Sequence, residues 1–279
     1  MKAGRFEYVR PASLDEALRL IADARGEAAV IAGGQSLLPI LGLRLTGVGC
    51  LIDIGRLREL AECGSTARYV TVGAAVTHAA IEDGLTPDPG RGLMRRVAAR
   101  IAYRPVRNQG TIGGSIALAD PAADWPACLI ALRATAIVAA RGGSRREPVA
   151  DLVRGTYITS LASDELIVGF EIPRLTERAR VGVSKVAKKS GAFAMSSAFA
   201  VIDEAQAGGA RVALAGAGAR ALPLAHVGAL LSERVDAPAE ALGDAVAADL
   251  AGVVDAGDEY GARLHRATVL KAIEEARAR

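Results

Sequence analysis

The chain has 279 residues, of which 51% are hydrophobic, so it is long enough to bury one large core or two smaller ones. Lys and Arg number 34 against 31 Asp and Glu, and both signs are interspersed, which gives a formal net charge of only +3. This balance and an aromatic content of 4% argue against a nucleic-acid-binding protein, which would carry a concentrated basic surface or aromatic stacking platforms.

The N-terminus and the apolar segments indicate neither export nor membrane insertion. Residues 1–7 lack the apolar core of a signal peptide. The apolar stretch 126–140 is interrupted by Arg133 and is shorter than the roughly 18 residues of a membrane-spanning helix. We therefore expect a soluble, cytoplasmic protein without a membrane span.

The cysteines do not form a metal-binding pattern. Cys50, Cys63 and Cys128 are far apart and follow no C-x-x-C spacing, whereas zinc sites and iron–sulfur clusters need several closely spaced ligands. We interpret them as small buried hydrophobic residues. An iron–sulfur centre that works with this chain would therefore lie on another polypeptide.

The first predicted unit is a strand, a helix and a second strand. Residues 6–10 alternate and then stop at a proline, which suggests a short strand. Ser13 and Glu16 fit a capping box, and the apolar residues that follow at helical spacing predict a helix over 13–24. The apolar run 28–31 then predicts a short buried strand.

A glycine pair follows this strand directly. Gly33 and Gly34 let the backbone turn sharply and approach a ligand, because neither carries a Cβ atom. Successive amides in such a turn form an anion-binding concavity, and Gln35 and Ser36 add side-chain donors. Taken alone, such a pair is more often an ordinary turn.

The middle of the chain leads to a second glycine segment, at residues 110–117. Strands are predicted at 50–54 and 69–73, a helix begins at Thr77, and another covers 93–102. The arginines of this last helix could steer phosphate, although a solvated face is the commoner role for such a charge run. Two Gly-Gly-polar turns in one domain suit a ligand with two phosphates.

An acidic pair precedes the next predicted helix, which covers 125–132. Asp120 and Asp124 could be read as a metal pair, but acid at a helix start is favoured by the helix dipole and no third ligand is near. Strands follow at 134–140 and 165–172. We place a domain boundary at the proline-marked break 173–177.

The last third of the chain carries strand patterns at 181–188 and 211–215, an apolar segment of small residues at 194–203, and alanine-rich helices at 238–251 and 259–276. The sequence GAGARA at 216–221 fits G-x-G-x-x-[G/A], but Pro223 breaks the helix that a nucleotide-binding site would need there. The three histidines, which we interpret as structural, are His78, His226 and His265.

The two glycine segments carry a family resemblance. AGGQSLLP at 32–39 and RNQGTIGGSIALADPAAD at 107–124 resemble the flavin-binding medium subunit of the molybdenum hydroxylases, which include aerobic carbon monoxide dehydrogenase and xanthine dehydrogenase. The resemblance extends over essentially the whole chain. It implies an α+β fold with a two-subdomain, PCMH-type (vanillyl-alcohol-oxidase-like) FAD-binding domain at 1–176, divided into about 1–57 and 58–176. A small C-terminal domain at 177–279 would combine a three-stranded antiparallel sheet with helices.

The resemblance also implies non-covalent FAD. The two glycine segments would clasp its pyrophosphate and ribityl chain, Asp124 would bind near the same polar region, and Lys185 would lie close to the flavin. Ile101 and Ile167 match apolar positions at the adenine end, and Phe193 falls near an aromatic beside the isoalloxazine. The implied binding residues are Ala32, Gly33, Gly34, Gln35, Ser36, Leu37, Ile101, Thr111, Gly113, Gly114, Ser115, Asp124, Ile167, Lys185 and Phe193.

Three positions depart from the family pattern. Gln35 replaces a histidine common in the carbon monoxide dehydrogenase branch, and Ala192 stands where many relatives carry an aspartate. Val183 replaces an aromatic often found two residues before the lysine. The chain therefore resembles a divergent branch of the family.

The resemblance implies an electron-transfer subunit with no catalytic acid–base pair and no metal site of its own. Its partners would be an iron–sulfur small subunit and a molybdopterin large subunit, in a dimer of heterotrimers. Electrons would pass from two [2Fe–2S] clusters through FAD to an acceptor. The alternatives are a free-standing flavoenzyme and a binding or assembly protein that kept the fold without redox function.

Overall fold

The computed structural model of the chain describes residues 3–206 and 208–278. Within these residues the strands form a three-stranded parallel sheet, two antiparallel sheets of five and four strands, and a two-stranded ribbon. The strands are β1 (Glu7–Val9), β2 (Ala28–Ile31), β3 (Cys50–Asp53), β4 (Cys63–Ser65), β5 (Tyr69–Gly73), β6 (Thr135–Ala140), β7 (Gly143–Pro148), β8 (Val153–Gly155), β9 (Ile158–Thr159), β10 (Leu166–Pro173), β11 (Arg180–Ala187), β12 (Ala194–Ile202), β13 (Ala210–Ala215) and β14 (Leu222–Pro223).

Eleven α-helices occur in the same described ranges, and a 3₁₀ turn follows β3. None of them is long and apolar enough to cross a membrane. The helices are α1 (Leu14–Asp23), α2 (Leu37–Gly42), α3 (His78–Glu82), α4 (Leu93–Ala98), α5 (Arg104–Arg107), α6 (Ile112–Leu118), α7 (Asp124–Ala131), α8 (Val149–Leu152), α9 (Ala225–Glu233), α10 (Ala239–Leu250) and α11 (Glu259–Arg277).

The N-terminal unit is a parallel sheet in the order β1-β3-β2, covered by α1. The Ser13 half of the predicted capping box is confirmed, since Ser13 Oγ accepts a hydrogen bond from the Glu16 amide at 3.2 Å, whereas the Glu16 carboxylate accepts from the Ala12 amide rather than from that of Ser13. Ala17 and Ile21 then pack against Ile52. Because the strands are parallel, their carboxyl ends share one edge, and this edge carries the first glycine pair beside Asp53.

The middle unit is the five-stranded sheet, in the order β4-β5-β10-β6-β7. Helices α3, α4, α6 and α7 contribute to the core that this sheet shares with them, where Trp125 and Phe170 are fully buried. The predicted helix 93–102 is too long, because α4 ends at Ala98 and the chain turns back over residues 99–102. Because of this turn, the end of α4 lies close to the last third of the chain.

The C-terminal unit is the sheet β11-β12-β13-β14, with α9, α10 and α11 packed on it. The expected three strands are corrected to four, because Leu222 and Pro223 pair with Leu214 and Ala213. The opposite face of this sheet belongs to the same core as the middle unit, since Phe199 lies in one cluster with Trp125. The middle and C-terminal units therefore share a continuous hydrophobic core.

Arg96 on α4 and Arg100 just after it join the two units, so the solvated-face interpretation is wrong for Arg96, which is half-buried, whereas Arg100 stays exposed. Arg96 donates to Glu275 Oε1 at 2.6 Å and to the Val181 carbonyl at 3.1 Å. Arg100 donates to the Val183 carbonyl at 3.3 Å. These bonds join α4 and the turn after it to β11 and α11.

Candidate cofactor site

The two glycine segments, which lie far apart in the sequence, are in direct contact. A Cβ atom built on Gly33 would lie 2.0 Å from the Gln109 carbonyl oxygen and 2.8 Å from Gly110 Cα. No side chain fits into that space, so glycine is required here by the approach of one backbone to the other. The contact brings the first glycine turn onto the loop that leads into α6.

The first turn leaves four consecutive amides without an acceptor. Gly34 has a φ of +69°, its carbonyl accepts from Leu38 N at 3.1 Å, and the Gln35 side chain donates back to the Gly33 carbonyl at 3.0 Å. Among residues 3–206 and 208–278, no group accepts a hydrogen bond from the amides of Gly33, Gly34, Gln35 or Ser36. Such a row of open amides binds an anion well.

A small cavity of about 300 Å³ lies beside this turn. Its walls include Tyr8, Ala32, Leu38 and Asp53. The Asp53 carboxylate accepts from the Tyr8 hydroxyl and from Arg10 Nη2 at 2.9 Å, so it is already neutralised by the protein. The cavity therefore adds apolar and aromatic surface next to the open amides.

The second glycine segment is the first turn of a helix, which corrects the prediction of a second open turn. Thr111 is the N-cap of α6 and accepts from the Gly114 amide at 3.1 Å. The Ile112 and Gly113 amides donate to carbonyls of the 74–76 loop at 3.1 and 2.9 Å. These amides are thus satisfied within the protein, and exposed Gly114 with half-buried Ser115 supplies the accessible surface.

The signal for this helix was present in the sequence. A threonine that precedes a run with isoleucines four residues apart is a typical helix start. The turn prediction depends on the glycines and neglects the helix-start pattern of Thr111, Ile112 and Ile116. Gly113 is instead needed for packing, because a Cβ there would lie 2.6 Å from the Ala74 carbonyl oxygen.

His78 packs against the contact between the two glycine segments. Its Nδ1 accepts from Trp125 Nε1 at 3.0 Å, and its amide donates to the Gly110 carbonyl at 2.9 Å. A Cβ on Gly110 would lie 2.9 Å from His78 Nε2. Burial, aided by the charge of Arg107, lowers the pKa of His78 to about 4, so the imidazole is neutral at physiological pH. The structural interpretation of His78 is confirmed, but its position under the glycine contact was not foreseen.

A buried ion pair joins two of the predicted site residues. Lys185 Nζ lies 2.6 Å from Asp124 Oδ2, and Ser197 Oγ donates to Asp124 Oδ1 at 3.0 Å. Lys185 also donates to the Arg100 carbonyl at 3.3 Å. Burial raises the pKa of Asp124, although the Lys185 charge and both hydrogen bonds oppose that shift. Asp124 is the first residue of α7, where the helix dipole favours a carboxylate.

The remaining predicted residues are divided between surface and core. Gly191 has a φ of +76°, and a Cβ there would lie 2.5 Å from the Ala102 carbonyl oxygen, so its loop packs on the segment that contains half-buried Ile101. Phe193 on this loop is 62% exposed. Ile167, by contrast, is 3% exposed and packs in the core, so it offers a ligand almost no surface in this conformation.

Two of the three departures from the family pattern have a clear structural setting. Gln35 turns back on its own loop, as described above, which leaves the row of amides uncovered by that side chain. Val183 is buried in the shared core, and its amide donates to Glu275 Oε2 at 2.7 Å. Nothing in the structure explains the alanine at position 192.

Comparison with known families identifies the region that contains most of this site. Residues 4–175 match the family described as the FAD binding domain in molybdopterin dehydrogenase. The matched region includes both glycine segments and Asp124.

Individual relatives extend the likeness over the whole chain. The chain is 33% identical over 285 residues to the nicotine 6-hydroxylase medium subunit of Paenarthrobacter nicotinovorans, with 100% of each chain covered. It is 34% identical over 202 residues to the carbon monoxide dehydrogenase medium chain of Hydrogenophaga pseudoflava, covering 71% of this chain and 69% of that one.

Solved structures agree. A carbon monoxide dehydrogenase structure from Hydrogenophaga pseudoflava, which lacks the Mo-pyranopterin moiety of its cofactor, superposes with a TM-score of 0.92 at 31% identity. It covers 100% of this chain and 99% of the other. Quinoline 2-oxidoreductase from Pseudomonas putida 86 gives 0.84 at 32% identity and covers 99% of each chain.

The residues of the site suit a flavin dinucleotide. Four open amides on Gly33–Ser36 provide donors for an anionic diphosphate, and exposed Phe193 provides aromatic surface. The acids of the predicted site do not oppose an anionic ligand, since Asp53 beside the first glycine turn is paired with Arg10 and Asp124 is paired with Lys185. Together with the family match, these features show that the chain belongs to the FAD-binding domains of the molybdopterin dehydrogenases, and that FAD is its cofactor.

Proposed function

We propose that this chain is the electron-transfer subunit of a heteromeric molybdenum hydroxylase, which passes electrons from [2Fe–2S] clusters of a partner through FAD to an acceptor. The observation that carries the proposal is the row of open amides on Gly33–Ser36, held in place by the contact between Gly33 and Gln109. The match to a medium subunit over its full length supports the same role.

The binding residues are proposed in three groups. The first glycine turn holds the pyrophosphate, chiefly through the open amides of Gly33–Ser36. Its residues are Ala32, Gly33, Gly34, Gln35, Ser36 and Leu37. Thr111, Gly113, Gly114 and Ser115 shape the opposite wall, chiefly through the surface of Gly114 and Ser115, since their amides are used internally. Asp124, Lys185, Phe193 and Ile101 surround the rest of the ligand. Ile167 contributes only if the core beside β10 opens towards the ligand.

FAD supplies redox chemistry that this chain lacks, because it accepts electrons singly and donates them singly or in pairs. The chain's part is to bind the cofactor, to keep it oriented and to place positive charge beside it. Lys185 is suited to the last task, because its ammonium group is fixed by Asp124 at 2.6 Å. We assign the substrate chemistry to the molybdopterin partner, so we propose no catalytic acid–base pair on this chain.

The proposed organisation follows the sheets. We assign residues 1–176 to a PCMH-type FAD-binding domain with subdomains of about 1–57 and 58–176, and 177–279 to the C-terminal domain. The parallel sheet, the five-stranded sheet and the C-terminal sheet fall into these three ranges. The continuous core between the last two favours their moving as one unit.

The proposed partners are an iron–sulfur small subunit and a molybdopterin large subunit, in a dimer of heterotrimers. The carbon monoxide dehydrogenase relative is named as a medium chain, and a second relative, from Paenarthrobacter nicotinovorans, is named as a subunit of the 6-hydroxypseudooxynicotine dehydrogenase complex. These names favour the complex over a free-standing flavoenzyme. A cytoplasmic location stays a prediction.

Two purifications test the proposal. The full chain expressed alone should show the visible absorbance of bound oxidised flavin, or gain it when FAD is added. A tagged chain expressed in its own cells should copurify with subunits that contain iron and molybdenum. A chain that binds FAD but stays alone would support a free-standing flavoprotein, and one that takes up no FAD under either condition would refute the redox role.

A further inference from the structure

A second and larger cleft lies away from the glycine segments. It has a volume of about 700 Å³ and opens between the end of α7, the edge of β13 and the helix α9. Its walls are mostly aliphatic, with Ile130, Val212, Leu224 and Ala229 among them. Pockets for small molecules are typically about 300–1,000 Å³ and mainly apolar. None of its lining residues is among those proposed to bind FAD.

One charged group in this cleft lacks a full set of partners. Arg211 donates from Nε to the Ala131 carbonyl at 3.2 Å. Its Nη1 is buried and has no hydrogen-bond partner among the described residues. Asp203, whose charge acts on it, is already bonded to the Thr176 amide and hydroxyl at 3.0 and 2.6 Å. An unsatisfied buried donor is costly, so a ligand whose acceptor reaches Nη1 after a rotation of the Arg211 side chain would gain affinity.

The cleft also has an excess of positive charge. Its charged lining residues are Arg133, Arg211 and Glu233. Glu233 is exposed on α9. Burial, together with the charge of Arg133, lowers the pKa of Arg211 to about 10, so the Arg211 guanidinium remains charged at neutral pH. An anion would relieve the repulsion between Arg133 and Arg211.

We propose that this cleft binds an amphipathic organic anion. Its apolar body would lie against Ile130, Val212 and Leu224, and its carboxylate would pair with Arg211. A guanidinium and a carboxylate form charge-assisted, often paired hydrogen bonds, which explains why an arginine sits at the wall of an otherwise apolar cleft. The site is separate from the cofactor site and does not depend on electron transfer.

Three ligands with the same eight-carbon body test the head-group requirement. Calorimetric titration of the full chain loaded with FAD should show one saturable site for sodium octanoate. Octan-1-ol should bind more weakly, because it lacks the charge, and octylammonium chloride should be weakest, because its charge is repelled. Equal affinity for the three ligands, or tighter binding of octylammonium, would overturn the proposal.

Variants then locate the site. Arg211→Gln should weaken octanoate binding roughly tenfold or more and leave octan-1-ol unchanged, because the charge-assisted bond to the ligand is lost while the apolar walls remain. Ala229→Trp places an indole at the cleft and should block octanoate, whereas Ala247→Trp, at an exposed position of α10, should not. Bound flavin absorbance in each variant shows that the fold and the cofactor site are intact. Octanoate binding that survives both cleft substitutions, or is lost equally in the Ala247 control, would refute the assignment.

Discussion

Lys185 and Asp124 form an ion pair of 2.6 Å in which both side chains are less than a tenth exposed. Removing two charges from water is expensive, and such a pair is often no more stable than hydrophobic residues of the same volume. The Ser197 hydroxyl and the Arg100 carbonyl add hydrogen bonds that help to satisfy it. We infer that the pair fixes the position of the lysine ammonium group rather than adding much stability.

This inference predicts different costs for single and double substitutions. Lys185→Met should lower the free energy of unfolding by roughly 3–5 kcal/mol, because it leaves the Asp124 carboxylate buried and unpaired. The double variant Lys185→Met with Asp124→Leu should recover most of that loss while binding FAD more weakly than the wild type. Urea denaturation and flavin titration measure the two quantities. A double variant no more stable than the single one would contradict the inference.

The pH dependence of stability should contain a contribution from His78. Its pKa is about 4 in the folded chain against 6.5 for an ordinary histidine, so between these values the unfolded chain binds a proton that the folded chain does not. The contribution of His78 to the free energy of unfolding is therefore complete above pH 6.5 and is lost as the pH falls towards 4. The difference corresponds to roughly 3 kcal/mol.

His78→Gln should remove this contribution. Urea denaturation at pH 7 and pH 4.5 should show a smaller loss of stability in the variant than in the wild type. Ile116→Val is a matched control, because it removes one buried methylene at a cost of about 1 kcal/mol without changing a titrating group. The control should keep the wild-type pH dependence. An unchanged pH dependence in His78→Gln would show that another group is responsible.

The sequence predicted the elements whose signals are local. The cap at Ser13 and the helical spacing after it gave α1 to within a residue or so, and the apolar runs gave β2, β3 and β5. It missed β14, which is only two residues long, and α9, whose first turn has no side-chain cap. Weak local signals of that kind are overridden by packing against β13 and α10.

The candidate site was predicted in part. Both glycine segments were found, but the reason for Gly33 is its approach to Gln109, and a sequence pattern cannot show which distant backbone a glycine will meet. The same limit hid the bond between Arg96 and Glu275, which are 179 residues apart. Burial of Ile167 likewise depends on how β10 packs, which no local pattern reports.

The bond between α4 and α11 should be worth more than an exposed ion pair. Glu275 accepts from Arg96 at 2.6 Å and from the Val183 amide at 2.7 Å, and its side chain is 28% exposed. Glu275→Ala should therefore lower the free energy of unfolding by about 2–3 kcal/mol, since hydrogen bonds to charged groups contribute about 1.5–3 kcal/mol each and some of this is screened.

A second glutamate provides the comparison. Glu204 pairs with Arg180 at 2.5 Å but is 67% exposed. Glu204→Ala should change stability by less than about 1 kcal/mol, as is usual for a surface ion pair. Chemical denaturation of the two variants under the same conditions gives the contrast. Equal effects would mean that Glu275 does not hold α4 and β11 together.

The most direct test of the cofactor site is the contact between Gly33 and Gln109. In Gly33→Ala the new methyl group would lie 2.0 Å from the Gln109 carbonyl oxygen, so the first glycine turn must move away from the loop before α6. Its open amides then lose their position, and we expect FAD affinity to fall by at least about tenfold, which is about 1.4 kcal/mol. Gly47→Ala is the matched control, because a Cβ there meets nothing within 4 Å. Flavin titration should separate the variants, while circular dichroism should show the same secondary structure in both; if Gly33→Ala bound FAD as tightly as Gly47→Ala, the amides of the first turn would not be the diphosphate site.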